Sequence, residues 1–191
     1  MKKILQKDAL ILRKTAESVP VESIRSPKIQ TILEEMKEAL ASQDDGVAIA
    51  APQIGYPLRI FIISKKVEGI IREAKINKMQ SKISPEKSAE EGEDIIFINP
   101  VIKKVSKEKK LVEEGCLSVR YLYGKVSRGV KATVEAYDEK GRKFERGGTG
   151  LMSQIFQHET DHLDGVLFID KAEEIEEILP EKQKKLEKMK K

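Results

Sequence analysis

Both histidines of this chain lie in the stretch Gln157-His158-Glu159-Thr160-Asp161-His162, four residues apart. That spacing constrains the fold more than any other feature. Side chains at i and i+4 stand one turn apart on the same helical face, so two imidazoles reach one metal ion here only if the segment is helical. Glu159, one residue round from His158, brings a carboxylate beside the ion as a general base for water. The alternative is a surface helix with two incidental histidines. A chain with no third histidine makes the metal site the better reading.

Two imidazoles leave a catalytic site incomplete, because such sites hold three protein ligands and one open position. A third His in the position of one familiar motif would fall at Phe168, and Glu181 lies in a lysine-rich tail. The single cysteine, Cys116, cannot form an internal disulfide. It could be an apolar filler, a reactive thiol or a metal ligand. Its setting, Glu113-Glu114-Gly115-Cys116-Leu117-Ser118, has a glycine that lets the backbone approach closely. The missing donor selects the ligand reading.

Around this site the sequence reads as one domain spanning residues 1–191, with 39% hydrophobic residues to form a core. The segment Ser26-Pro27-Lys28 through Leu40 predicts a helix capped by Ser26. Residues 58–63 and 95–102 are short, apolar and β-branched, and predict strands. Residues 65–94 are polar and read as an exposed insertion with at most one short helix. Alternation over Val126–Tyr137 and a turn at residues 138–141 predict a hairpin returning through Arg142–Arg146. From Thr149 a helix carries Leu151, Ile155, His158 and His162 on one face until Gly165 ends it. Residues 172–191 read as a basic C-terminal helix. The fold class is α+β: mixed or antiparallel β-sheets packed around a central helix, in the C-terminal half, that carries HExxH.

No apolar run approaches the roughly 20 residues that span a bilayer, and charges interrupt the opening MKKILQKDALILRK, so a cytoplasmic protein without a membrane partner is expected. The net charge is +4, with 36 basic residues interleaved among 32 acidic ones, which implies no specific DNA partner. The basic tail is the exception. Contact with the ribosome there is a minor alternative to a solvated helix end.

Three ordered motifs resemble the peptide deformylases. They are Gly46-Val47-Ala48-Ile49-Ala50-Ala51-Pro52-Gln53, then Glu114-Gly115-Cys116-Leu117-Ser118, then Gln157 to His162. The resemblance implies an enzyme that removes the N-formyl group from nascent N-formylmethionyl peptides and releases formate. It implies a divalent metal on Cys116, His158 and His162, with Fe2+ the usual native ion and Zn2+, Ni2+ or Co2+ suited to the same donors. Glu159, the Gln53 side chain and the Leu117 backbone N–H would be catalytic, and Gly46, Val47, Ala48 and Gly115 would line the substrate. Arg128 would pair with Glu114 to brace the loop carrying Cys116, and Asp161 would act behind the metal ligands or as a cap. Two residues depart from the family pattern: Ala48 stands in place of a glycine and Arg120 in place of a proline. A different metallohydrolase, such as a peptidase, and a non-catalytic ribosome-associated module remain the competing readings.

Overall fold

The run Ile60-Phe61-Ile62-Ile63 is apolar at every position because the strand it forms is covered on both faces. Ile60 and Ile62 join one core cluster, while Phe61 and Ile63 join another on the opposite side. Successive strand side chains point to opposite faces, so an unbroken apolar run needs two cores. The computed structural model, which describes residues 2–78 and 92–179, supplies both.

The elements in chain order are α1 (Pro27–Ala41), β1 (Ala48–Ala50), β2 (Ile60–Ile63), α2 (Lys66–Lys78), β3 (Ile95–Val105), β4 (Lys109–Cys116), β5 (Val119–Gly129), β6 (Lys131–Tyr137), β7 (Lys143–Thr149), α3 (Leu151–Leu163) and β8 (Glu173–Glu177). One antiparallel sheet has the order β1-β2-β3-β6-β7, and a second has the order β4-β5-β8. Helix α1 begins as its sequence predicts, with Pro27 in the first turn and Ser26 Oγ accepting from Ile29 N at 3.4 Å. Its buried face, Ile29, Ile32, Leu33, Met36 and Leu40, covers one side of the larger sheet. Helix α3 covers the other with Met152, Ile155, Phe156 and Leu163, against Phe61, Phe97 and Val134. The fold is α+β, with α3 in contact with strands of both sheets.

Several sequence expectations need correction. Val126–Tyr137 is not one arm of a hairpin: the chain leaves β5 at Gly129 and enters β6 at Lys131, so the alternating run is divided between the two sheets. The hairpin that forms is β6 with β7, in register from Lys131–Thr149 to Tyr137–Lys143. At Gly129 an added Cβ would lie 2.2 Å from Val105 Cγ1, which is why the crossover has no side chain there. Thr149 closes β7 rather than opening α3. The expected helix over residues 172–191 fails at its start. Glu173–Glu177 pairs with β5 as a strand, Leu122 opposite Glu177 and Lys125 opposite Glu173, because β5 offers a free edge that an extended segment can satisfy. The rest of the basic tail lies outside the described residues, as does most of the polar insertion, whose first part forms α2. No helix among the described residues is long and apolar enough to cross a membrane.

Helix α3 stops where the sequence predicts. Gly165 has φ +75°, its N–H meets His162 O at 3.2 Å, and Val166 N meets Asp161 O at 2.9 Å. A Cβ on Gly165 would lie 2.8 Å from the carbonyl carbon and oxygen of Arg13. Left-handed backbone costs a non-glycine residue about 1–2 kcal/mol and overpacking about 1–3 more. Gly165→Ala should therefore lower stability by about 2–5 kcal/mol in urea denaturation, with an unchanged slope. A loss below 0.5 kcal/mol would mean that this turn is not under the constraint described.

Candidate metal centre

Cys116 ends β4 and His158 and His162 lie on α3, so the site forms where the smaller sheet meets the helix. Cys116 Sγ lies 3.1 Å from His162 Nε2, and one donor atom from each of Cys116, His158 and His162 falls within 4.8 Å of the others. Donors around a tetrahedral ion with bonds of about 2.0–2.3 Å stand about 3.5 Å apart, so a small contraction or expansion of this group suits an ion. The three residues singled out by spacing and by the missing-ligand argument thus converge, across a sequence separation that no local pattern could bridge.

The surrounding charges hold this group in place. Glu114 Oε2 meets His158 Nδ1 at 2.9 Å, which leaves the other ring nitrogen of His158 as its donor towards a metal. The same carboxylate accepts from Arg128 Nε at 2.8 Å and Nη2 at 2.9 Å, and Arg128 Nη1 donates to Asp161 Oδ2 at 2.6 Å. Burial alone would raise the Glu114 pKa, but the Arg128 guanidinium and the His158 ring overcome it and hold the group down at about 2. Cys116 follows the same pattern. Burial favours its neutral thiol, yet the His162 and His158 imidazoles bring its pKa down to about 5. A thiol of that acidity is already disposed to be the thiolate that metals bind.

Gly115 is required by contact. A Cβ there would lie 2.8 Å from Tyr123 Cε1, so the strand carrying Cys116 passes against that ring only without a side chain. Across the site, Gln53 sits in a short 3-10 turn, Ala51–Ile54, after β1. Its Oε1 accepts from Ala50 N at 2.7 Å, and its Nε2 donates to Ser118 Oγ at 3.0 Å with Cys116 Sγ 3.6 Å away. Glu159 is buried, and its Oε2 has no hydrogen-bond partner among the described residues. Burial raises its pKa, while His158 and His162 pull against that rise. A buried carboxylate oxygen left unpaired beside converging metal donors is what a site built to hold water at an ion leaves when seen as protein alone.

A cleft of about 300 Å³ opens over this group, lined by Gly46, Val47, Ala48 and Leu117 as well as by Cys116, His158 and Glu159. Among the described residues β1 is the edge strand of its sheet, which leaves an edge for an extended peptide ahead of Ala50, whose N–H is taken by Gln53 Oε1. Ala48 is only 6% exposed, and its side chain belongs to the core cluster behind the strand.

Some residues of the site were not found from sequence. Gln157 looks polar and unassigned, but it is buried, accepting from Gly129 N at 3.0 Å and donating to Ser153 O at 2.9 Å. It fastens α3 to the crossover between the sheets. Asp45 carried no signal, although it grips Arg120 across the cleft; the departure at Arg120 was the only pointer to it.

Comparison with known proteins gives the family. The family model for polypeptide deformylase matches residues 1–177. Peptide deformylase 2 of Clostridium acetobutylicum is 40% identical over 161 residues, covering 84% of this chain and 87% of that protein. The peptide deformylase of Rhizobium meliloti is 35% identical over 153 residues, covering 80% and 75%. Among solved structures, the Met-Ala-Ser-bound class I type b peptide deformylase of Acinetobacter baumannii superposes with a TM-score of 0.72 at 28% identity, covering 90% of this chain and 99% of that one. With the family model matching most of its length and relatives at this level of identity, the chain belongs to the polypeptide deformylase family, whose reaction is the deformylation of nascent peptides.

Proposed function

We propose that this enzyme, a peptide deformylase, removes the N-formyl group from the terminal methionine of nascent chains with one divalent metal held by Cys116, His158 and His162. The observation that carries the assignment of roles is the buried Glu159 carboxylate, whose Oε2 is unpartnered beside the three donors. Fe2+ is the native ion we propose, with Zn2+, Ni2+ and Co2+ suited to the same thiolate and imidazoles. When bound, the ion polarises a carbonyl and lowers the pKa of water.

The chain's own residues account for the rest. An extended peptide pairs with the free edge of β1 at Gly46, Val47 and Ala48, with Gly115 on the opposite side, which fixes the formyl group over the donors. Glu159 takes a proton from the attacking water as the oxygen bonds to the formyl carbon. Negative charge gathers on the former carbonyl oxygen, where the Gln53 amide and the Leu117 N–H donate to it. Gln53 is oriented for this, since its oxygen is occupied by Ala50 N and its amide nitrogen is directed to the site by Ser118 Oγ and Cys116 Sγ. The C–N bond then breaks, Glu159 passes its proton to the leaving amine, and formate and a free N-terminus result. Such an enzyme works where formylated chains are made, and we assign it to the cytoplasm. The peptidase reading is weaker because the third donor is a cysteine on a strand rather than a residue downstream on the helix. A non-catalytic module gives no reason for an unpaired buried carboxylate.

Glu159→Gln tests the assignment. It keeps size and hydrogen-bonding capacity but removes the base, so kcat on formyl-Met-Ala-Ser should fall by at least about 10²- to 10⁴-fold with metal content unchanged. Turnover within a few-fold of the parent, in a metal-loaded variant, would refute the role. Glu114→Gln weakens the hold on His158, and competition against a chelator should show metal affinity lower by about 10–100-fold. Unaltered affinity would remove Glu114 from the support of the site.

A further inference from the structure

We infer that Arg120 and Asp45 form a charge-neutral clasp at the mouth of the cleft and set which charged side chains the enzyme accepts after formyl-methionine. The inference rests on the deformylase reading and extends it to substrate choice.

The local backbone isolates Arg120 for this purpose. β4 and β5 are paired regularly up to Gly115 opposite Tyr123, and the next pair is Cys116 opposite Val119. Residues 120–122 therefore have no partners on β4 and form a bulge, with Tyr121 at φ +68°. Bulges beside active sites redirect side chains, and this one turns Arg120 out of the sheet. Gln6 supports the bend, accepting from Arg120 N at 3.4 Å and donating to Leu117 O at 3.1 Å.

The Arg120 guanidinium then reaches across the cleft. Nη1 donates to Asp45 Oδ2 at 2.6 Å, and Nη2 donates to Asp45 Oδ1 at 3.3 Å and to Gln43 Oε1 at 2.6 Å. Gln43 and Asp45 lie between α1 and β1, immediately before Gly46-Val47-Ala48, on the rim where the peptide edge begins. Arg120 and Asp45 both line the cleft, and their side chains keep 29% and 52% of their exposure, so an incoming peptide can meet them. An exposed bidentate pair of this kind adds little to global stability. Its effect falls instead on the field at the mouth. While paired, the two charges cancel there; removing either leaves the other facing the substrate. The other acids on the same lining, Glu113, Glu114 and Glu159, are common to all the variants below.

The test uses the metal-loaded, full-length enzyme on formyl-Met-Asp-Ser against formyl-Met-Lys-Ser, and on formyl-Met-Ala-Asp against formyl-Met-Ala-Lys. The readout is the ratio of kcat/KM within each pair. Asp45→Asn keeps the shape of the rim and exposes the guanidinium, so in at least one pair the ratio should move towards the acidic peptide by about three- to ten-fold. Arg120→Gln exposes Asp45, so the same ratio should move towards the basic peptide by a similar factor. Both shifts should shrink in high salt, and the double variant should return close to the parent ratio. A clasp that only holds the rim together would lower both peptides of a pair equally. Such equal losses, or shifts below two-fold, or shifts of the same sign in both variants, would overturn the inference. Should Arg120→Gln not fold, the sign and salt dependence of Asp45→Asn decide alone. A parent enzyme that turns over none of the four formyl peptides would instead sink the deformylase reading itself.

Discussion

The site depends on one guanidinium. Arg128 on β5 joins Glu114 on β4 and Asp161 on α3, and Glu114 in turn holds His158. The guanidinium ties the strand that carries Cys116 to the helix that carries both histidines, beside the direct contacts of Glu114 with His158 and of Cys116 with His162. Arg128 and Glu114 are 5% and 1% exposed at their side chains. Taking such charges out of water is costly, and their mutual attraction does little more than offset that cost. The pair's contribution is geometric. A buried carboxylate with both oxygens engaged can turn only with its partners, so His158 inherits a fixed ring orientation.

The two-core design explains why this tie can be rigid. The larger sheet is closed on one side by α1 and on the other by α3, and α3 presents Ile155, Phe156 and Leu163 to the sheet while His158 faces the smaller one. Gln157, between these faces, is fastened to the crossover at Gly129. A helix held on several sides cannot roll, and an i, i+4 pair of imidazoles is useful to a metal only on a helix that does not roll.

Much of this was legible in the sequence, for identifiable reasons. Helix α1 and the end of α3 announce themselves by Ser26, Pro27 and Gly165, residues whose preferences act locally. The convergence of the three candidate metal donors was legible because a catalytic site has a ligand count, and two histidines without a third leave a deficit to which Cys116 answers. What stayed hidden was set by distant partners. β4 carries too many exposed lysines and glutamates to alternate clearly, and only its pairing with β5 makes it a strand. Glu173–Glu177 has helix-forming composition, and the open edge of β5 overrides it. Val130, Ala132, Val134 and Ala136 alternate and suggest that Val126–Tyr137 is one strand, yet the chain passes between the two sheets at Gly129, where a side chain would meet Val105. The clasp of Arg120 on Asp45 joins residues 75 apart in sequence, and neither alone is more than a surface charge.

The central claim is that Cys116 completes a metal site with His158 and His162 inside a deformylase fold. Metal content of Cys116→Ala, prepared beside the parent and exposed to the same mild chelator, tests it most directly, with circular dichroism to establish that the fold persists. The account predicts an equimolar ion in the parent and almost none in the folded variant, because two imidazoles alone hold an ion too weakly against competition. A folded variant that keeps an equimolar ion with the parent's affinity would contradict it.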